Sequence, residues 1–457
     1  MKKKTLSWAT LATGILVGGL ANSGHAQSVD ALLNKLVDKG VLSTKEAEDL
    51  KKETDKNFTK AYKAKSGMPD WVNSLKFGGD FRGRYDGFYS DETVDRNRFR
   101  YRLRFGAVAN LTDNFDVGLR LASSEPANGG GVNGTAGGNP VSGNTTMGDN
   151  ASRKWVYLDL AYAKWTGLKF DNFSGSLTFG KMESPFVYSS MLFDADYNPE
   201  GLAGTLAYHI GDHHTLKLAG GGFSVREIST SSYDSFLLGS QIRLDSTWAD
   251  PFSTSIGVGI ATVTTPANLA NTAIPNQNFG NTRRPVVSGT TTNFVPAVNF
   301  NPIFADVSAT YNLKEFPGYT GAFPIKVFAE YMVNPAAPRR NKAWQGGIGL
   351  GKSGKKGLWE LNYAWRYQGA DSWFEEFVED DFGAFYPTGP IGGTSGFAGG
   401  TNVKGHIIKA AYSPYDALTL SVTYYRTELI DQTSGGAAAS TRKTDLSRIM
   451  VDATLKF

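Results

Sequence analysis

The chain has 457 residues, with 47 basic and 43 acidic side chains, 53 glycines, 20 tyrosines, 28 phenylalanines and no cysteine. Lack of cysteine excludes a disulfide framework, and a composition rich in glycine and aromatics reads as all-β. Charge is nearly balanced, so any preference for charged partners must come from where the charges are placed, and no nucleic-acid partner is expected.

The opening MKKK, the apolar LSWATLATGILVGGLA and the small-residue site Gly24-His25-Ala26 have the layout of a secretory signal covering residues 1–26. The apolar run is shorter than the roughly 20 residues of a membrane helix. Loss of Lys2, Lys3 and Lys4 with the signal leaves a mature chain carrying one net positive charge.

Residues 27–66 are expected to form a helical arm. Val29, Leu32, Leu33, Leu36 and Val37 follow helical spacing, and Gly40 suits a C-terminal cap. A second helix is predicted from Ser43, where Ser43 and Glu46 have capping-box spacing. Its thin apolar stripe fits either an arm that touches a partner or a solvated spacer.

Residues 67–457 change the period from 3.6 to 2. Sixteen alternating segments run from LKFGGDFRGRY through RNRFRYRLRFG to the terminal SRIMVDATLKF. The links between them fall into two classes in strict turn. Those after even-numbered strands are short, such as NLTDN, IGDHH and SPYDA, with 166–172 and 313–322 somewhat longer. Those after odd-numbered strands are mostly long, notably 123–152, 182–201, 264–302, 369–401 and 429–445. An even strand count with tight turns at one end and elaborate loops at the other predicts a 16-stranded antiparallel transmembrane β-barrel.

In RNRFRYRLRFG, Arg96, Arg98, Arg100, Arg102 and Arg104 alternate with Asn97, Phe99, Tyr101, Leu103 and Phe105. An Arg at mid-depth on a lipid-facing barrel surface costs roughly 2–4 kcal/mol. Even allowing for depth, the wrong register would cost on the order of 10 kcal/mol. Phe99, Tyr101, Leu103 and Phe105 are therefore expected to meet lipid, and the arginines a wet interior. Arg82, Arg84 and Arg448 fall on the same inner face, with Asp80, Asp86 and Asp452 among them. Two readings stay open: a guanidinium wall that handles anions, or a structural lattice of salt bridges. Trp155, Trp165, Trp344, Trp359 and Tyr424 are expected in the interfacial girdles or against loops.

Gly346–Ser353, GGIGLGKS, satisfies the phosphate-loop pattern G-x-x-x-x-G-K-[ST], but an alternating strand follows where a helix is needed, so it reads as a strand running into a turn. His213 and His214 sit in a short turn without zinc-type spacing. No metal, cofactor or catalytic set is expected, and the chain does not read as an enzyme.

Three stretches carry a resemblance to bacterial outer-membrane porins, specifically the putative porin family. These are VDALLNKLVDKGVLSTKEAEDL, then FGKMESPFVYSSMLFDADYNPEGLAG at 179–204, and the terminal Phe457 closing an alternating strand. The resemblance implies a trimer of water-filled barrels in the outer membrane that pass small hydrophilic solutes and ions. It also implies a loop after strand five, at about 182–201, folded into the lumen as a constriction that presents Asp194, Asp196 and Glu200. Opposite an arginine wall such acids would set a transverse field; their alternative is local loop-capping or an incidental cation site. No repeated lysine cluster stands in the long loops, so specificity for one anion is not implied. The rival is a plugged structural or adhesive barrel whose long loops, including the acidic and aromatic WFEEFVEDDF at 373–382, bind a partner.

Overall fold

The structure, a computed structural model, describes residues 35–37, 42–43, 45–53, 68–91, 94–127, 137–276, 279–383, 399–431 and 445–457. Chain contacts divide it into two units, 1–72 and 73–457. In the first, residues 45–53 are helical. The capping box stands as its spacing predicts: the Glu46 N–H donates to Ser43 Oγ at 3.2 Å, and Glu46 Oε2 accepts from the Ser43 N–H at 2.8 Å. The signal segment, Gly40 and most of the arm lie outside the described residues. No described helix is long and apolar enough to cross a membrane.

The second unit is a wall of sixteen antiparallel strands. They are β1 (Val72–Tyr89), β2 (Arg96–Leu111), β3 (Phe115–Ser123), β4 (Val156–Phe170), β5 (Phe173–Lys181), β6 (Glu200–Ile210), β7 (His214–Arg226) and β8 (Ser235–Ala249). The rest are β9 (Phe252–Val263), β10 (Ile303–Leu313), β11 (Phe323–Val333), β12 (Lys342–Gly351), β13 (Trp359–Gln368), β14 (Val403–Tyr415), β15 (Leu418–Leu429) and β16 (Leu446–Lys456). Each pairs with its chain neighbours, and β1 closes on β16 in a register running from Asp80↔Lys456 to Tyr89↔Ser447. Phe457 and Gly79 exchange backbone hydrogen bonds at 2.9 and 3.1 Å, so the terminal residue completes the seam. Closure leaves no sheet edge, which is the condition for strands to stand in hydrocarbon.

The two classes of connection separate as the sequence predicts. Links after even-numbered strands are turns such as 112–114, 211–213, 250–251 and 416–417, while the links after odd-numbered strands are long, from Ser123 to Val156, Lys181 to Glu200, Val263 to Ile303 and Gln368 to Val403. One link differs from expectation. Residues 166–170 continue β4 beyond a bulge between Trp165 and Leu168, which leaves a two-residue turn at 171–172. Two further strand pieces lie within loops: Thr145–Thr146 pairs with Tyr101 and Arg100 of β2, and Arg283–Ser288 forms a hairpin with Thr291–Pro296. Gly346–Ser353 is the end of β12 and a turn, as read from its pattern.

The alternation sets the faces. Phe77, Phe99, Leu103 and Phe105 are exposed on the outside, Phe99 to 60%, whereas Arg84, Arg100 and Arg102 keep 8% or less. Inside, carboxylates such as Asp80, Asp86 and Asp452 pair with the guanidinium groups. The girdle aromatics divide: Trp155 and Trp344 are exposed, while Trp359 packs on Phe316 and Tyr319 of the 314–322 turn and on Phe323 at the start of β11.

Candidate functional site: the charged lumen

Two loops enter the barrel. The 182–199 segment leaves β5 and crosses to the far wall: the Val187 N–H donates to Gln241 on β8, Ser189 Oγ to Glu330 on β11, and Arg366 on β13 donates to Ser190 Oγ. It then turns back to β2 through Asp196. The second is 369–383, whose aromatic residues Trp373, Phe374, Phe377 and Phe382 are fully buried. Trp373 Nε1 donates to the Leu192 carbonyl at 2.9 Å, and the Asp194 N–H to the Phe377 carbonyl at 2.7 Å, so the two loops bind each other.

Trp373, Phe374 and Phe377 pack with Phe186, Met191, Leu192 and Phe193 against inward-facing Phe223, Leu237, Phe304 and Met332 of β7, β8, β10 and β11, while Phe382 packs with Phe88, Tyr425 and Met450. Apolar residues on the inner face of these strands thus have a loop to cover them. The lumen is divided. An apolar core packs on β7, β8, β10 and β11, and a dense set of ion pairs lies on β1, β2 and β16.

On that charged side, Arg84 Nε donates to Asp452 at 2.7 Å and its Nη1 to Asp381 at 3.1 Å. Arg448 donates to Asp86 at 2.9 Å and to Asp381 at 2.7 Å, with its guanidinium 4.7 Å from the Phe88 ring centroid. Arg98 reaches Asp86 at 2.7 Å. Arg102 lies 2.9 Å from Asp80 and 3.0 Å from Asp196, and Arg104 lies 2.7 and 3.5 Å from the same two carboxylates. Arg82 and Arg100 are the less neutralised pair. Arg82 bonds Asn144 Oδ1 at 2.7 Å, with no carboxylate within 4 Å among the described residues, and the nearest carboxylate oxygens to Arg100 are 3.9 Å away. Arg96 is exposed at the long-loop end of the stripe.

Of the three acids expected opposite this wall, Asp196 alone reaches it. Asp194 accepts the Asp196 N–H at 2.6 Å, a local turn bond, and Glu200 pairs with Lys181 at 2.9 Å. Burial by itself would raise both aspartates. At Asp196 the guanidinium groups of Arg102, Arg82 and Arg104 outweigh it and hold the carboxyl below its ordinary value. At Asp194 burial and the adjacent Asp196 charge act together, and its carboxyl stands well above.

Sequence reasoning missed Asp380 and Asp381 as partners of the wall. Burial raises Asp380 to about 7, reinforced by the Asp381 charge beside it. Burial would raise Asp381 too, but Arg448, Arg84, Arg82 and Arg100 overcome it and keep that carboxyl ionised well below the usual range. The signal was present in the acidic run Glu375–Asp381, which reads equally as an external loop.

Between the 182–199 segment and the charged wall lie two cavities. The larger, about 960 Å³, is lined by Arg104, Asp159, Lys181, Asp196, Glu200 and Arg226 among others. The smaller, about 550 Å³, is lined by Lys76, Arg120, Lys164, Thr178 and Glu183 among others.

Residues 88–264 match the family model described as putative porin. No curated protein matches the chain. Among solved structures, the chain is similar to Pseudomonas putida OprB at high pH, with 10% identity, a TM-score of 0.48 and coverage of 84% of this chain and 94% of that one. It is also similar to Salmonella typhi OmpF in complex with daunomycin, at 11% identity and a TM-score of 0.45, covering 84% and 97%. At these scores the fold rests on the strand register itself.

Proposed function

We propose that this chain, residues 88–264 of which match the putative porin family model, is a bacterial outer-membrane porin that passes small hydrophilic solutes and ions by passive diffusion along the charged side of its lumen. The observation that carries this reading is the pair of cavities lined by charged side chains between the 182–199 segment and the strand wall, inside a barrel whose outer face is apolar. Charged side chains facing a cavity hold water and replace part of an ion's hydration, which an apolar plug does not.

Arg82, Arg84, Arg96, Arg98, Arg100, Arg102 and Arg104 form the basic wall in this reading, and Asp196 is the acid set against it. Most of these guanidinium groups are paired, so an anion preference falls to Arg82 and Arg100, the two without a close carboxylate. Asp194 acts by shaping the turn that presents Asp196, and Glu200 contributes at the rim of the larger cavity. Assembly as a homotrimer in outer-membrane lipid is proposed from the family likeness.

Stepwise conductance of the purified protein in a planar bilayer tests the channel, and the reversal potential in a salt gradient tests the preference. Reversing Arg100 and Arg102 to Glu should move the reversal potential toward cations; an unchanged value removes their role. A second reading has one observation in its favour: WFEEFVEDDF fills lumen space rather than projecting outward. A structural barrel plugged by that segment would give no steps at all.

A further inference from the structure

The linings of the two cavities change over at one level of the barrel. On β2 the change falls between Arg104 and Gly106, on β3 between Ala122 and Arg120, on β4 between Asp159 and Leu160, and past β5 between Lys181 and Met182. The strand register ties these positions together, since Arg104 faces Ala122, Gly106 faces Arg120, and Arg120 faces Leu160 across the ladders. One side chain spans that level. Arg120 donates through Nε to Asp159 of the larger cavity at 2.5 Å, and through Nη1 to Glu183 of the smaller one at 2.8 Å.

The two carboxylates differ in their freedom. Asp159 is fixed from its other side, where the Asn198 amide donates to it at 2.7 Å while also bonding the Asp196 carbonyl. It is therefore tied to the same turn that sets Asp196 against Arg102 and Arg104. Glu183 stands at the root of the 182–199 segment with 70% of its side chain exposed, so its hold on Arg120 is the weak one.

We propose that the solute path crosses from one cavity to the other at Arg120, and that the Asp159–Arg120–Glu183 bridge is a second point, besides the stripe on β2, at which permeants are selected by charge. This rests on the porin reading. With two carboxylates on one guanidinium the crossing carries a net negative charge, so small cations and neutral solutes pass it more readily than anions of the same size. The stripe acts on the other side of the crossing, where Arg104 lines the larger cavity.

The natural chain has no cysteine, so a single introduced thiol is the only target for a methanethiosulfonate reagent. In planar bilayers, Arg120→Cys should lose at least about half its current after modification with a bulky charged reagent, because the added group stands in the narrowest part of the path. Thr178→Cys lines the smaller cavity without touching the bridge and should behave alike if Arg120→Cys fails to fold. Asp159→Asn should move the reversal potential toward anions. If the unmodified protein conducts while both thiol variants keep full current after labelling, the crossing lies elsewhere and the inference falls alone. If the unmodified protein passes no current, the channel reading falls and this one with it.

Discussion

A guanidinium inside a barrel is stable only as far as its donors are matched, and Asp381 shows how narrow the match is. Its two oxygens accept from Arg84 and Arg448, both nearly devoid of solvent. Asp381→Asn would leave two enclosed cations short of a partner, a loss on the order of 3–5 kcal/mol where a buried pair is broken from one side. Faster hydrogen exchange in the 369–383 segment should report it. Asp380 beside it acts in the opposite sense. Its carboxyl is raised to about 7, so between the ordinary carboxylate value near ~4 and pH 7 the folded loop holds a proton that the released loop does not. Stability of the loop's seat then falls as pH rises through that range, by on the order of 1 kcal/mol per unit. Asp381, held low, adds stability only as pH rises toward ~4 and nothing above. The 369–383 segment should accordingly be best protected from hydrogen exchange near pH 4–5 and less so at pH 8, after correction for intrinsic rates. Asp380→Asn should lessen that dependence, the remainder coming from Asp371 and Glu376, whose carboxyls burial also raises.

At the scale of the strand, period-2 alternation was enough to place all sixteen segments and to turn Arg84, Arg100, Arg102 and Arg448 away from the outer face, because hydrocarbon punishes a one-residue slip across a whole strand. Leu103→Arg tests that directly: a charge on the outer face should cost about 2–4 kcal/mol near mid-depth and less toward the rim, read as reduced folding yield into lipid vesicles. What alternation did not disclose is what lies against the inner face. Phe223, Phe304 and Met332 break the polar pattern of the lumen, and only the loop aromatics packed on them explain why. Likewise Thr145–Thr146 gave no strand signal of its own, since two residues carry no period; they extend the wall because β3 stops at Ser123, short of Tyr101 and Arg100 on β2. Where a loop leaves the wall, backbone geometry decides. Gly180, next to the end of β5, has φ +116°, and a Cβ there would meet the Ala161 carbonyl oxygen at 2.3 Å. Gly180→Ala should destabilise this departure point by roughly 1–3 kcal/mol, visible as faster exchange in 182–199 with the rest of the barrel unchanged.

For the molecule as a whole, two structures that share one lumen draw on different forces. The wall is held by closed ladders of backbone hydrogen bonds that hydrocarbon cannot replace. The inserted loops are held by an apolar core and by ion pairs to β1, β2 and β16. Removing part of that core should therefore loosen the filling without opening the wall. Trp373 is the residue to remove, being wholly buried, 6.1 Å from the Phe193 ring centroid and 5.4 Å from that of Phe377, with its indole N–H on the Leu192 carbonyl. Trp373→Ala would cost about 3–5 kcal/mol where the cavity cannot collapse. Heat-resistant mobility of the barrel should stay as it was, because no ladder bond is lost. Single-channel traces should instead become noisier and their mean conductance should rise, as the 182–199 and 369–383 segments separate and water enters the side now filled by aromatics. Were the barrel to unfold at lower temperature with its conductance unaltered, wall and loops would be one cooperative unit, and the division of forces argued from their contacts would be mistaken.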